Sequence, residues 1–555
     1  MLNVQYGEQT TLAVIQTGTC PVREIPPGFY AKPAFYEAGQ VYGMIQGNTV
    51  LYTWDAQTGE EQSHIQLSVR EDVSQFPSSL SNGMFTYADD RGIHTIALGG
   101  SIRQDLAQNR SFAIARDSFY QSELVVGTDE IYWVTGRENG AAKLYAYFYD
   151  PAFVPKPVQT LKIWTMKDCQ LLRETVSTFL AEHQDVEIEI EYGKDSLESG
   201  LTEEDIIRAL NVRIAAGDGP DVLVLDGLPV EAYIAQGLLV NLEGQLDLSG
   251  CYENIVNCYR TEDGLCAVPM LFRPALIYCR YESEAEILRS AQSLSDLRPI
   301  LCDHSKYFFG GYYNVFSELY PAVSADIFPQ DSRTVDETAL REFLILTKDI
   351  VTLQGITSET DALFGRGENT VGAFGRELGV DTPVSMARYG RRESDCAGGM
   401  PSDYEHTYIC VVAEAKALPA AICPLPGKVF QPAMTLGIPN TSPHRELATQ
   451  WVQCMLDREN ESLCRYGFGF NGYFIKPGIQ QNCAYNGAGS MGEPLPSELD
   501  LDGLCRQLRV MAVSDTFLRN AVYEEAQKLY QGKQDVDSAV NAILTRVRLY
   551  EAERQ

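Results

Sequence analysis

The sequence predicts a multidomain chain, an all-β N-terminal region with a propeller-like repeat followed by an α/β region. Three observations carry this. Short strand-like runs punctuated by turn residues fill the first ~155 positions. A proline-rich joint, Pro151-Ala-Phe-Val-Pro-Lys-Pro157, ends them. Beyond the joint, strand and helix patterns alternate, the signature of a parallel sheet wrapped by crossovers.

In the β region, residues 41–46, 49–55 and 63–67 form one cluster, 83–89 and 93–98 a second, and 124–128, 130–135 and 142–147 a third. Turns such as Asp55-Ala-Gln-Thr-Gly59 and Gly136-Arg-Glu-Asn-Gly140 separate the runs. The clusters recur about every 40 residues, the period of a propeller blade. A propeller closes with about four blades or more. Residues 1–17, with Thr11-Leu-Ala-Val-Ile15, read as the last strands of an earlier blade. The expectation is a partial propeller, truncated relative to a longer natural protein; a free-standing sandwich or meander is the alternative. Proline stiffens the joint and blocks strand continuation. The expected division is therefore 1–155 and 156–555.

The α/β region opens with a strand at 161–166. An amphipathic helix at 169–183 places Leu172, Val176, Phe179 and Leu180 on one face. Residues 186–192 alternate as a strand with one wet face. A helix with an acidic first turn starts at Thr202-Glu-Glu-Asp205 and stops at Gly217-Asp-Gly219. A buried-type strand follows at 221–225, then a helix with Pro229 in its first turn that ends at Gly237.

Composition bounds the function. With 44 Lys and Arg against 75 Asp and Glu, the net charge is −31, which disfavours nucleic acid and anionic membranes as partners. The 14 cysteines and six histidines show no zinc-type spacing. The cysteines read as buried small hydrophobes, a usage that fits a reducing setting better than a disulfide scaffold. No secretion signal and no apolar run of about 18 residues is present. No esterase elbow, phosphate-loop lysine motif or zinc-protease helix occurs. No cofactor, metal site or catalytic residue is expected.

Four segments, taken in order, resemble the extracellular solute-binding proteins of ABC importers (family 1, the maltose-binding type). They are Leu-Lys-Ile-Trp-Thr-Met at 161–166, Ala-Gly-Asp-Gly-Pro-Asp-Val-Leu-Val-Leu-Asp at 216–226 with Ala-Gln-Gly-Leu-Leu-Val-Asn-Leu at 235–242, Asp-Gly-Leu-Cys-Ala-Val-Pro-Met-Leu-Phe-Arg-Pro-Ala-Leu-Ile-Tyr at 263–278, and a C-terminal set at 418–427, 436–439 and 442–452. The last 20 or so positions, 535–553, resemble the family's closing helix. Residues 290–400 match least, and Cys279 stands where the family carries Asn.

The resemblance implies a two-lobed, type II periplasmic-binding-protein-like fold that closes by hinge motion on its ligand without transforming it. Lobe 1 would span about 160–270 plus 418–460, and lobe 2 about 275–415 plus 465–555. The chain would cross between lobes near Pro269 to Pro274. It also implies a small-molecule ligand, a mono- or oligosaccharide, and ABC permease subunits as partners. The full-length protein would be an extracellular, surface-anchored lipoprotein whose signal is not in this chain.

Sugars are held by aromatic faces and by hydrogen-bonding carboxylates, amides and Arg, at the carboxyl ends of strands in α/β sheets. On that ground the candidate ligand-binding residues are Trp164, Met166 and Asp168 after the first strand, Asp226 and Gly227 after the third, Phe272 and Arg273 at the lobe crossing, Phe309 and Tyr312 in the aromatic cluster 307–313, and Phe470, Asn471 and Tyr473 in a second Gly-aromatic loop. Each also has a structural reading as core, cap or loop packing. Two other functions stay open: a glycan-active enzyme, and a clamp that reports ligand to a membrane signalling partner.

Overall fold

The computed structural model describes residues 2–6, 9–15, 22–24, 31–45, 50–67, 77–89, 92–100, 102–107, 119–127, 130–138, 141–148, 159–166, 170–183, 185–193, 201–329, 334–364, 394–399, 419–457, 473–476, 500–513 and 515–553. The chain divides into two compact units. One comprises Met1–Gln159 and Leu172–Glu187, the other Thr160–Leu171 and Ile188–Gln555.

Among the described residues the first unit contains four antiparallel sheets in chain order. Leu2–Tyr6, Gln9–Ile15 and Val22–Glu24 form a three-stranded sheet. Ala31–Glu37, Gln40–Ile45, Val50–Asp55 and Glu61–Gln66 form a four-stranded meander. Ser78–Ser81, Met84–Asp89, Gly92–Ala97 and Arg103–Ala107 form another. Phe119–Val126, Tyr132–Glu138 and Ala141–Tyr147 form the last. The third of these sheets is buried on both faces, so its alternate residues meet different neighbours. Tyr42 and Leu51 thereby meet Phe85, Tyr87 and Ile96 of the next sheet. Ala88 and Ile93 of that sheet in turn meet Leu124 and Val134 of the last.

Among its described residues the second unit holds two main sheets, a larger and a smaller, besides a two-stranded ribbon of Arg260–Thr261 and Gly264–Leu265. The larger draws on β1 (Gln159–Thr165), β2 (Val186–Tyr192), β3 (Val222–Val224), β4 (Val268–Pro274), β8 (Val429–Gly437), β9 (Tyr473–Phe474) and β10 (Val510–Met511). Its order is β2-β1-β3-β8-β4-β9, with β10 beside β8. β1 and β3 are parallel, while β8 runs antiparallel to both β3 and β4. The sheet is therefore mixed, where the sequence pattern suggested a parallel one. Between strands stand α1 (Gln170–Glu182), most of which clusters with the first unit, α2 (Glu203–Ala216) and α3 (Val230–Ala235). α2 starts on a capping box, Thr202 with Asp205, and ends at Gly217 in the left-handed region, φ 76°.

The smaller sheet has the order β6-β5-β7, from β5 (Leu276–Cys279), β6 (Cys396–Gly399) and β7 (Ala421–Pro424). Its core joins Ile277 and Cys279 to α4 (Tyr312–Ile327), α5 (Glu337–Leu353), α8 (Thr516–Tyr530) and α9 (Val536–Glu553). α6 (Arg445–Leu456) follows β8, and α7 (Leu501–Cys505) precedes β10.

The chain crosses between the two sheets where β4 ends at Pro274 and β5 begins at Leu276. It returns where β7 ends at Pro424 and β8 begins at Val429. The crossings lie side by side: Ala275 donates its amide to Val429 O (3.0 Å), and Leu425 to Ala275 O (2.8 Å). The expected lobe limits shift in three places, one of them at β10, which pairs with Val429 and Phe430 of β8 and so leaves lobe 2. β7 belongs to the smaller sheet, so 421–424 leaves lobe 1. Tyr473 pairs with Phe272, so β9 joins the larger sheet and leaves lobe 2.

Candidate functional site

At the carboxyl end of β3 the chain turns through Asp226 and Gly227 into α3. Asp226 is solvent-exposed and yet ringed by protein, as a carboxylate on the floor of a cleft would be. Both its oxygens are engaged. Oδ2 accepts the Met434 amide at 2.7 Å and Oδ1 the Thr435 amide at 2.9 Å. Crowding raises its pKa; the two amides and the nearby Arg273 guanidinium pull the other way. Met434 has φ +50° in mid-strand, a left-handed backbone that costs an ordinary residue ~1–2 kcal/mol. The β4–β8 ladder lacks the Met270–Met434 pair at this point. Asp226 thus holds an irregular residue in the strand that returns from the second lobe.

Gly227 has φ +82°, and a side chain there would press on Thr516 Oγ1 at 3.1 Å. Thr516 is the first residue of α8, which belongs to the smaller sheet's core. The glycine lets the two lobes touch. Around this contact opens a cavity of about 930 Å³. The first lobe lines it with Asn211 of α2, Tyr233 of α3 and Gln236 just beyond. The second lobe supplies Phe517 and Asn520 from α8 and Arg546 and Tyr550 from α9.

The second wall is preorganised. Phe517 and Tyr550 stack with centroids 4.0 Å apart and 15° between planes, and Arg546 lies 5.9 Å from the Phe517 ring. Tyr550 donates its hydroxyl to Asp515 Oδ2 (2.8 Å), while Asp515 Oδ1 accepts the Leu518 amide (3.1 Å) and caps α8. On the facing wall Tyr233 donates to Asn211 Oδ1. Partly exposed rings beside amides and hydroxyls suit a neutral, polar ligand with an apolar face.

The residues expected from sequence are dispersed. Gly227 alone of them lines the cavity, next to Asp226. Trp164 is 1% exposed, and it packs with Met166 and Ile206 against Gly193, where an added side chain would press on all three at 3.0 to 3.3 Å. Phe272 and Tyr473 do come together, but as core: Phe272 also meets Tyr252 and Phe430 edge-on, at 5.5 and 6.4 Å. Phe309 and Tyr312 are buried in the second lobe, against Tyr307 and Tyr530. Gly310, at φ 75°, turns the chain into α4 so that these aromatics point inward. In this conformation their faces are taken by protein. Arg273 is half-buried beside Asp226. Asp168, Phe470 and Asn471 lie outside the described residues.

Sequence reasoning missed Asn211, Tyr233, Phe517 and Tyr550. The available signal was Asp515-Thr516-Phe517, an N-cap residue followed by an aromatic at a helix start.

Two crossings joining two sheet-bearing lobes beside a cavity define a two-lobed α/β architecture. No protein-family model matches the sequence, and no curated protein matches it significantly. The solved structures to which the chain is similar include solute-binding proteins. One, a family 1 protein from Alicyclobacillus acidocaldarius, is 14% identical, with 71% of this chain and 98% of that one covered and a TM-score of 0.43. A periplasmic solute-binding protein from Pectobacterium atrosepticum is 16% identical, covering 71% and 100%, with a TM-score of 0.46. An ABC substrate-binding protein from Listeria monocytogenes, in complex with cycloalternan, is 13% identical, covering 72% and 99%, with a TM-score of 0.42. Among the described residues no helix is long and apolar enough to cross a membrane.

Proposed function

We propose that residues 156–555 form a solute receptor that closes on a carbohydrate by rotation about the β4–β5 and β7–β8 crossings. The observation that carries this reading is the cavity of about 930 Å³ whose walls come from different hydrophobic cores. Its size lies in the range of small-molecule sites, roughly 300–1,000 Å³. A ligand touching both walls favours the closed state by its differential affinity for the two conformations. In this reading Phe517 and Tyr550 offer stacking faces, and Asn211, Gln236 and Asn520 meet hydroxyls.

The same reading makes the protein the extracellular, surface-held subunit of an ABC importer that hands ligand to membrane permeases. The N-terminal meanders would be blades of a propeller-like module that presents the receptor.

Thermal denaturation across a panel of mono- and oligosaccharides, peptides and polyamines tests the proposal. At least one sugar should raise the melting temperature, since ligand at 100 times its dissociation constant adds ~2.7 kcal/mol. Cleavage of glycosides with no stabilisation by any member of the panel would mean an enzyme instead.

A further inference from the structure

Three cysteines lie on one face of the smaller sheet. In the β5–β6 register Cys279 stands directly opposite Cys396. In the β5–β7 register Ile277 stands opposite Cys423. Opposed residues share a face, and so do residues two apart on one strand.

The hydrogen bonds say which kind of pair Cys279 and Cys396 form. The Arg280 amide donates to Asp395 O at 2.8 Å, so the neighbouring pair carries the ladder bonds. The Cys396 amide points away from β5, to Lys306 O at 2.7 Å. The Cys279 carbonyl points the other way and accepts the Ala420 amide of the β7 side at 2.9 Å. Cys279 and Cys396 are therefore a non-hydrogen-bonded antiparallel pair, whose Cα atoms sit about 4.5 Å apart with side chains close. Disulfides take Cα separations of about 4.4–6.8 Å. Cys423 is on the diagonal from Cys279, at about 7–8 Å, outside that window.

We propose that Cys279 and Cys396 form a cross-strand disulfide when the chain folds in the presence of a small-molecule disulfide oxidant. The thiolate of one cysteine attacks the oxidant and expels one thiol, leaving a mixed disulfide. The thiolate of the other attacks the protein sulfur and expels the second thiol. Two protein thiols are oxidised, the oxidant is reduced to two thiols, and the two protein protons end on them. The bond pins the edge strand β6 to β5 within the second lobe's core.

Both cysteines are fully buried. Burial pushes the Cys279 thiol up to about 12, and Cys396 further in the same direction. Once folded, then, the pair neither reacts with external oxidant nor yields to external reductant, and its state records the conditions of folding. Export to an oxidising exterior, part of the receptor proposal, would supply those conditions; the pairing itself does not depend on that proposal.

The test is to refold the full chain from urea and reductant into mixed oxidised and reduced glutathione, alkylate under denaturing conditions, and map peptides by mass spectrometry. The expected result is a 279–396 linked peptide and the loss of those two alkylation sites. The link should persist in Cys423→Ala and vanish in Cys396→Ala. Alkylation of both Cys279 and Cys396 in the oxidised sample, or a 279–423 link in its place, overturns the proposal. Should the chain not refold, mapping after expression with export to an oxidising compartment gives the same two readings. A failed sugar screen would leave this result untouched.

Discussion

Asp226, expected from sequence as a ligand contact, accepts hydrogen bonds from the strand beside it. Its place at the end of a strand followed by glycine marks it for the cleft. What that position cannot reveal is the demand of the strand beside it. Two buried amides, from Met434 and Thr435, need an acceptor, and the carboxylate supplies both. Leaving buried donors unpaired costs ~1–3 kcal/mol. Asp226→Ala should therefore lower stability by about that amount, read as a lower urea midpoint. Asp226→Asn, which keeps one acceptor oxygen, should lose less. Equal midpoints for wild type and Asp226→Ala would remove the carboxylate from the hinge. The aromatic candidates are buried in this structure for a related reason. Phe272, Phe309 and Tyr473 sit beside glycine or at a crossing, but chain position does not say which side of a turn faces solvent. Burial of large rings is the stronger force, ~25 cal/mol per Å² of apolar surface.

At the scale of elements, the alternating and turn-bounded strands were legible, and so was α2 from its Thr202 cap to Gly217. The strands that escaped lack the pattern. Ala31–Glu37 contains Pro33, Ser78–Ser81 is mostly serine, and Arg103–Ala107 is polar and at a sheet edge. Pairing with a good neighbour made them strands. Pairing also assembled what histidine spacing hid. His94 is 1% exposed, and its Nδ1 lies 2.6 Å from Asp105 and its Nε2 2.8 Å from Asp89. Arg103 bonds Asp105, and the Tyr87 ring lies 5.0 Å away. Burial lowers the His94 pKa, but the two carboxylates outweigh it and the net shift is upward. A histidine raised on folding adds stability that is complete below its unfolded value, about 6.5, and is lost as pH rises through the folded value. Hydrogen-exchange protection of residues 84–97, corrected for intrinsic rates, should accordingly fall as pH rises above about 6.5. His94→Gln should be less protected throughout and flat with pH. An unchanged pH response in that variant would place the titration elsewhere.

For the whole molecule, the resemblance in four ordered segments indicated two lobes, and the second unit has two sheets with a crossing at 274–276 and a return at 424–429. The cavity was not legible. Tyr233 comes from a helix in the first half of the chain and Phe517 and Tyr550 from two consecutive helices near its end, and only the packed lobes bring them to one space. Helix faces exposed in isolation become walls when a second core is set against them, which no local pattern records.

The central claim is that this cavity is the jaw of a clamp. Pulsed dipolar spectroscopy on the full chain measures it directly, with labels at Val212 on one rim and Leu549 on the other, both exposed. The labels should be carried on unnatural amino acids, because the chain has 14 cysteines of its own. Adding a sugar that raises the melting temperature should shorten and narrow the 212–549 distance distribution. A distribution unchanged by that sugar at saturation would contradict the clamp.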